Sequence, residues 1–123
     1  MDKLFFILGS LSAALGVLIG AFGAHGLSSR LTPELLETFE TGVRYQMYHA
    51  FALVIVGLAL SRWSSNLVGW AGWAFVIGTI LFSGSLYLLA LSGNRILGAV
   101  TPFGGLAFIA GWLLLAAGVW QSR

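Results

Sequence analysis

Apolar residues fill four long blocks of this chain, and short polar stretches separate them. The first block runs from Leu4 to Ala24 without a charged residue, the second from Met47 to Leu60, the third from Leu67 to Leu91 and the fourth from Phe103 to Trp120. A helix needs about 20 apolar residues to cross a hydrocarbon core. Lipid offers no hydrogen-bond partner to the backbone, so such blocks are expected to be helices and not open strands. The two-residue alternation of a membrane barrel is missing. The pattern predicts an all-α, integral membrane four-helix bundle, one transmembrane domain over residues 1–123 with helices at about 4–25, 33–61, 67–92 and 102–121.

The second block is short until its approach is included. Thr32-Pro33-Glu34 reads as an N-cap, a proline at the first helical position and an acidic first turn. Leu35, Leu36, Phe39, Val43 and Met47 then recur at helical spacing. An amphipathic segment is thus expected to lead into the second helix from Pro33, either running straight into the span or breaking near Gly42. Thr101-Pro102 repeats the start signal before the fourth helix, which reads as two ordinary helix starts more readily than as an internal duplication. The first block exceeds the 7–15-residue core of a secretory signal, roughly judged, and is expected to remain as a span.

Composition agrees with lipid as the main solvent. The chain is 59% hydrophobic and 8% charged, against about 25% charged in soluble domains. A formal charge of +2, with basic residues scattered singly, argues against nucleic acid as a partner. The absence of cysteine removes disulfides, thiolate metal sites and a cysteine nucleophile. Helices in a bilayer associate through small residues and polar contacts. Candidate packing stripes are Ser12, Gly16, Gly20 and Ala24 in helix one, Gly104, Gly111 and Gly118 in helix four, and Thr79, Ser83 and Tyr87 beside Gly84 and Ser85 in helix three.

Four crossings put both termini on one face, together with Asp2, Lys3 and the loop from Arg62 to Asn66. The opposite face then holds His25 to His49 and Ser92 to Thr101. Lys and Arg number three on each face, which leaves the positive-inside rule tied; the termini are expected in the cytoplasm. Trp63, Trp70 and Trp120 anchor one boundary and Tyr45 and Tyr48 the other.

Ionisable residues at membrane depth are candidates for function. They are His25, Glu37, Glu40, Arg44, Tyr48, His49 and, from the second loop, Arg95. His25 ends helix one and His49 stands where helix two enters the membrane, which suggests similar depth. A haem held by both imidazoles, or a metal ion on His25, His49 and Glu37 or Glu40, is one reading, although no attachment motif or His-x-x-x-His spacing occurs. The plainer reading pairs Arg44 with Glu40 and Glu37 and lets the histidines bond backbone carbonyls, so that no cofactor is needed. A lipid headgroup or quinone near Arg44, Tyr48 and Arg95 is the third. No nucleophile elbow, phosphate loop or dinucleotide fingerprint is present. The expectation is a non-enzymatic accessory or scaffold protein, partnered by membrane lipids and by itself or a larger membrane complex. The alternative is a protein that binds or transports a lipid, quinone, haem or ion.

Four ordered strings carry a resemblance. They are Gly20-Ala21-Phe22-Gly23-Ala24-His25-Gly26, Tyr45-Gln46-Met47-Tyr48-His49, Leu81-Phe82-Ser83-Gly84-Ser85-Leu86-Tyr87 and Thr101-Pro102-Phe103-Gly104-Gly105. Together they resemble the YgdD/YwdK-like family of small bacterial membrane proteins, domain of unknown function four hundred and twenty-three. The resemblance spans nearly the whole chain and implies a four-helix protein of the bacterial inner (cytoplasmic) membrane. It implies no established activity. It singles out His25, Tyr48, His49, Ser83, Ser85, Tyr87, Thr101 and Pro102.

Overall fold

The computed structural model describes residues 1–122. Four helices account for most of them: α1 (Asp2–Phe22), α2 (Pro33–Arg62), α3 (Asn66–Ser92) and α4 (Thr101–Gln121). A π-helical turn, Gly23–Leu27, extends α1, and a 3-10 turn, Arg95–Ala99, precedes α4. Each of the four is long and apolar enough to cross a membrane.

Local chemistry sets the ends. Thr32 accepts from the Leu35 N–H at 3.2 Å, with Pro33 in the first turn, so the expected start of α2 is realised. Ser65 caps α3 in the same way through the Leu67 and Val68 N–H groups. Gly93, at φ 73°, closes α3 in the left-handed conformation that glycine adopts without penalty. The helix α2 is continuous through Gly42. Thr101 departs from expectation: it lies inside α4 and its hydroxyl bonds Ser85 Oγ at 2.6 Å instead of capping the helix. The two Thr-Pro pairs therefore do different work, and the likeness between them stops at sequence.

Each helix packs on its neighbours in sequence, with α2 and α3 central and α1 and α4 on the flanks. Glycines bring the backbones together at seven-residue intervals. On α4, Gly104, Gly111 and Gly118 receive Phe82, Phe75 and Val68 of α3, which are also seven apart. This is knobs-into-holes packing between antiparallel helices. On α1 the seam is Gly9, Gly16 and Gly23, against Ala50 and Val54, Met47 and Phe39 of α2. The expected stripe is only partly right: Gly16 and Gly20 face α2, while Ala24 is exposed. Strict four-residue spacing drifts by about 40° per step at 3.6 residues per turn, so Ala24 rotates off the seam and Gly23 takes its place. Gly84 is a second correction. No atom lies within 4 Å of where its side chain would project, so it opens outward and packs nothing.

The interior is layered. Toward the termini lies an apolar core of Phe5, Ala52, Leu53, Val56, Ala59, Val68, Ala71, Phe75 and Phe108. At the other end Leu27, Phe39 and Ala90 form a smaller cluster. Between them sits a layer of buried polar side chains: Gln46, His49, Ser83 and Ser85. Outward faces are apolar, with Leu11, Leu15 and Leu18 of α1 and Leu106, Ile109 and Leu113 of α4 all more than half exposed. Lipid is the solvent such a surface requires.

The seams predict unequal costs for the same substitution. A Cβ on Gly9 would stand 2.6 Å from the Ala50 carbonyl oxygen, and one on Gly104 would meet the Phe82 backbone, neither of which yields cheaply. Gly9→Ala and Gly104→Ala should each cost about 1–3 kcal/mol, read as a lower thermal midpoint in detergent. Gly84→Ala should leave the midpoint unchanged or raise it.

Candidate functional site

The polar layer forms because α2 turns Gln46 and His49 into the bundle, where both are buried. Gln46 is 4% exposed and links three helices. Its Nε2 donates to the Ser12 carbonyl of α1 at 2.9 Å, and its Oε1 accepts from the Tyr87 hydroxyl of α3 at 2.6 Å. Four residues earlier, where Gly42 exposes its carbonyl, Ser83 Oγ donates to that oxygen at 2.6 Å. The Ser85–Thr101 bond joins α3 to α4.

His49 ties α2 to α4. The indole N–H of Trp112 donates to His49 Nε2 at 3.1 Å. An indole nitrogen only donates, so Nε2 accepts and the ring proton resides on Nδ1, which donates to the Tyr45 carbonyl at 2.8 Å. The imidazole stacks on Phe108, with centroids 3.5 Å apart and planes within 5°. Phe75 closes another side at 5.5 Å. Among the described residues, every buried side-chain nitrogen and oxygen has a partner. Interhelical hydrogen bonds in bilayers are worth about 0.6 kcal/mol on average and up to about 1.7. Five such contacts in one layer therefore specify register more than they supply stability.

The residues expected to converge are dispersed. His25 is exposed on the π-helical turn. It lies two residues beyond Gly23, which meets Phe39, and His49 is ten residues farther along α2 than Phe39. That is about 15 Å of helix. The matched depth read from the sequence is not realised, because α1 pairs with α2 as far as Phe39 and His49 lies ten residues beyond that contact. Both ring nitrogens of His49 bond within the bundle, to the Tyr45 carbonyl and the Trp112 indole, and His25 is not brought beside it. Among the described residues, no three His, Asp or Glu side chains come together as a metal site.

The expected ion pairs differ too. Arg44 donates through Nη2 to Thr41 Oγ1 at 3.0 Å, and among the described residues neither Glu37 nor Glu40 pairs with it. Both carboxylates and Arg44 are exposed on α2. Arg95 joins Glu34 at 3.6 Å, fastening the second loop to the start of α2. Tyr48 is 54% exposed and rests edge-on against Tyr45 at 5.5 Å. Arg44, Tyr48 and Arg95 therefore form no common pocket. A depression of about 620 Å³ lies on the terminal face against Asp2, Ser61, Ser64, Trp70 and Trp73. Sequence reasoning assigned no role to Gln46 or Trp112. An isolated glutamine and a mid-span indole N–H within apolar blocks were the available signals.

If Gln46 is the hub, Gln46→Leu and Tyr87→Phe should each lower stability in detergent. A double-mutant cycle should return a coupling of about 0.6–1.7 kcal/mol. Trp112→Phe should loosen α4 without disturbing the α1–α2 packing, which crosslinking between paired cysteines at Leu8 and Leu53, lining one depression, would report as unchanged.

Comparison with known proteins places the chain in a family. The family described as protein of unknown function (DUF423) matches residues 19–105. A UPF0382 membrane protein of Staphylococcus haemolyticus is 54% identical over 113 residues, 92% of each chain. One from Staphylococcus saprophyticus is 48% identical over 119 residues, covering 97% of this chain and 98% of its own. UPF0382 membrane protein YwdK of Bacillus subtilis is 46% identical over 114 residues, 92% of this chain and 93% of its own. No solved structure matches. With four apolar helices, a lipid-facing surface and these relatives, the chain is a small membrane protein of unknown biochemical role and belongs to the DUF423 family.

Proposed function

We propose that this protein is a non-enzymatic accessory or scaffold subunit of the bacterial cytoplasmic membrane, acting through lateral contacts with itself or with a larger membrane complex. The observation that carries this reading is the use of the polar layer. Gln46, His49, Ser83, Ser85 and Tyr87 spend their hydrogen bonds on other groups of the bundle, most of them on neighbouring helices. Helix-to-helix glue is the role polar groups commonly take in bilayers. The links between helices are short, so the apolar outer faces of α1 and α4 are the largest surfaces offered to a partner.

A photocrosslinking residue at Leu11 of α1 or Leu113 of α4, both more than 60% exposed, should give discrete crosslinked species in living cells. Recovery of the lone monomer from both positions would overturn the proposal.

On this reading the termini lie in the cytoplasm. Among the described residues the terminal face carries Lys3 and Arg62 against Asp2, a balance of +1, whereas Arg30, Arg44 and Arg95 offset Glu34, Glu37 and Glu40 to zero on the other face. Because the chain has no cysteine, single replacements report orientation cleanly. A membrane-impermeant maleimide should label Ser28→Cys in intact protoplasts and Ser64→Cys only after permeabilisation. The reverse pattern would invert the topology.

A further inference from the structure

Arg44 stands where the hydrocarbon core gives way to headgroups. Trp63 marks the terminal interface, and about 30 Å of helix counted back from it along α2 reaches Val43. Between Glu40 and Arg62, Arg44 is the one charged residue of α2, and the apolar blocks of α1, α3 and α4 contain none. It shares the outward face of α2 with the exposed Tyr48, Phe51 and Ile55. A guanidinium in that position needs an anion or water within reach of its side chain. Its one hydrogen-bond partner among the described residues is the neutral Thr41 hydroxyl.

Beside Arg44 is a depression of about 260 Å³ lined by Gly20, Phe39, Glu40, Val43 and Arg44. Gly20, Phe39 and Val43 give it apolar walls, and Glu40 and Arg44 supply charges of opposite sign. Glu40 is one helical turn nearer the water than Arg44, about 6 Å along the axis, and Glu37 lies another turn on. From the core outward this face reads aromatic hydroxyl, cation, carboxylate, carboxylate. A phospholipid whose headgroup carries a primary amine reads the other way: esters, then a phosphate anion, then an ammonium. A purely anionic headgroup would satisfy Arg44 but meet repulsion from Glu40 and Glu37. A choline headgroup has no N–H to donate to a carboxylate.

We propose that the depression between Glu40 and Arg44 binds the headgroup of an aminophospholipid, its phosphate accepting from the Arg44 guanidinium and its ammonium donating to Glu40. The occupant is a lipid of the leaflet that faces the His25-to-Glu34 loop. Tyr48, a turn deeper, lies level with the glycerol esters.

Native mass spectrometry of the full chain in detergent tests this, with phosphatidylethanolamine, phosphatidylglycerol and phosphatidylcholine of identical acyl chains as probes. Wild-type protein should retain phosphatidylethanolamine in preference to both others. Arg44→Gln should weaken that adduct about fivefold, the worth of one arginine at a headgroup surface. Glu40→Gln should abolish the preference for phosphatidylethanolamine over phosphatidylglycerol without weakening the phosphatidylglycerol adduct. Both side chains are exposed, and an unchanged thermal midpoint would confirm that each variant folds. Equal binding of the three lipids by wild type, or a preference that survives Glu40→Gln, would overturn the proposal. Neither result bears on the crosslinking test of an accessory role.

Discussion

A donor or acceptor buried inside a membrane bundle has no water to fall back on, and its alternatives are another group of the same chain or a large desolvation cost. Gln46 sits under that constraint. Its amide has one donor side and one acceptor side, and the structure gives the first to the Ser12 carbonyl and the second to the Tyr87 hydroxyl. Satisfying both demands that α1, α2 and α3 stand at one particular height relative to each other. His49 imposes the same requirement on α4 through Trp112. A slide of any helix by one residue, about 1.5 Å, would break these bonds, whereas leucine against leucine would tolerate it.

The glycine seams do complementary work. They let α1 approach α2 and α4 approach α3 closely enough for dispersion contacts to accumulate, which is the main attraction left when lipid tails are as apolar as the side chains. Phe5 shows the consequence: its ring fills the space over Gly72 and lies edge-on to Trp73 at 5.2 Å, bringing α1 against α3 at the terminal end. Seams define distance and the polar layer defines height. Together they leave the outward faces of α1 and α4 uncommitted.

This division of labour separates two kinds of ionisable group. His49 is absorbed into the bundle, with both ring nitrogens bonded and its face covered by Phe108. His25, Glu37, Glu40 and Arg44 stay outside it and are exposed. Motifs that look alike in sequence, a histidine within an apolar string in each case, thus serve unlike ends.

The existence, number and approximate limits of the four helices follow from the sequence alone, because a run of about 20 apolar residues has one stable form in lipid. The Thr32 cap, the heptad of Gly104, Gly111 and Gly118, and the crowding of charged groups on one side are legible for similar reasons: each depends on neighbours a few residues apart. Depth and rotation are not local. The level of His49 against His25 depends on how far α1 slides along α2, which Gly9, Gly16 and Gly23 decide by the side chains they admit. The burial of Gln46 and the outward turn of Gly84 depend on the same tertiary choice. A periodic sequence gives a helix its apolar face, but the angle and height at which that face meets another helix arise only when both surfaces are packed together.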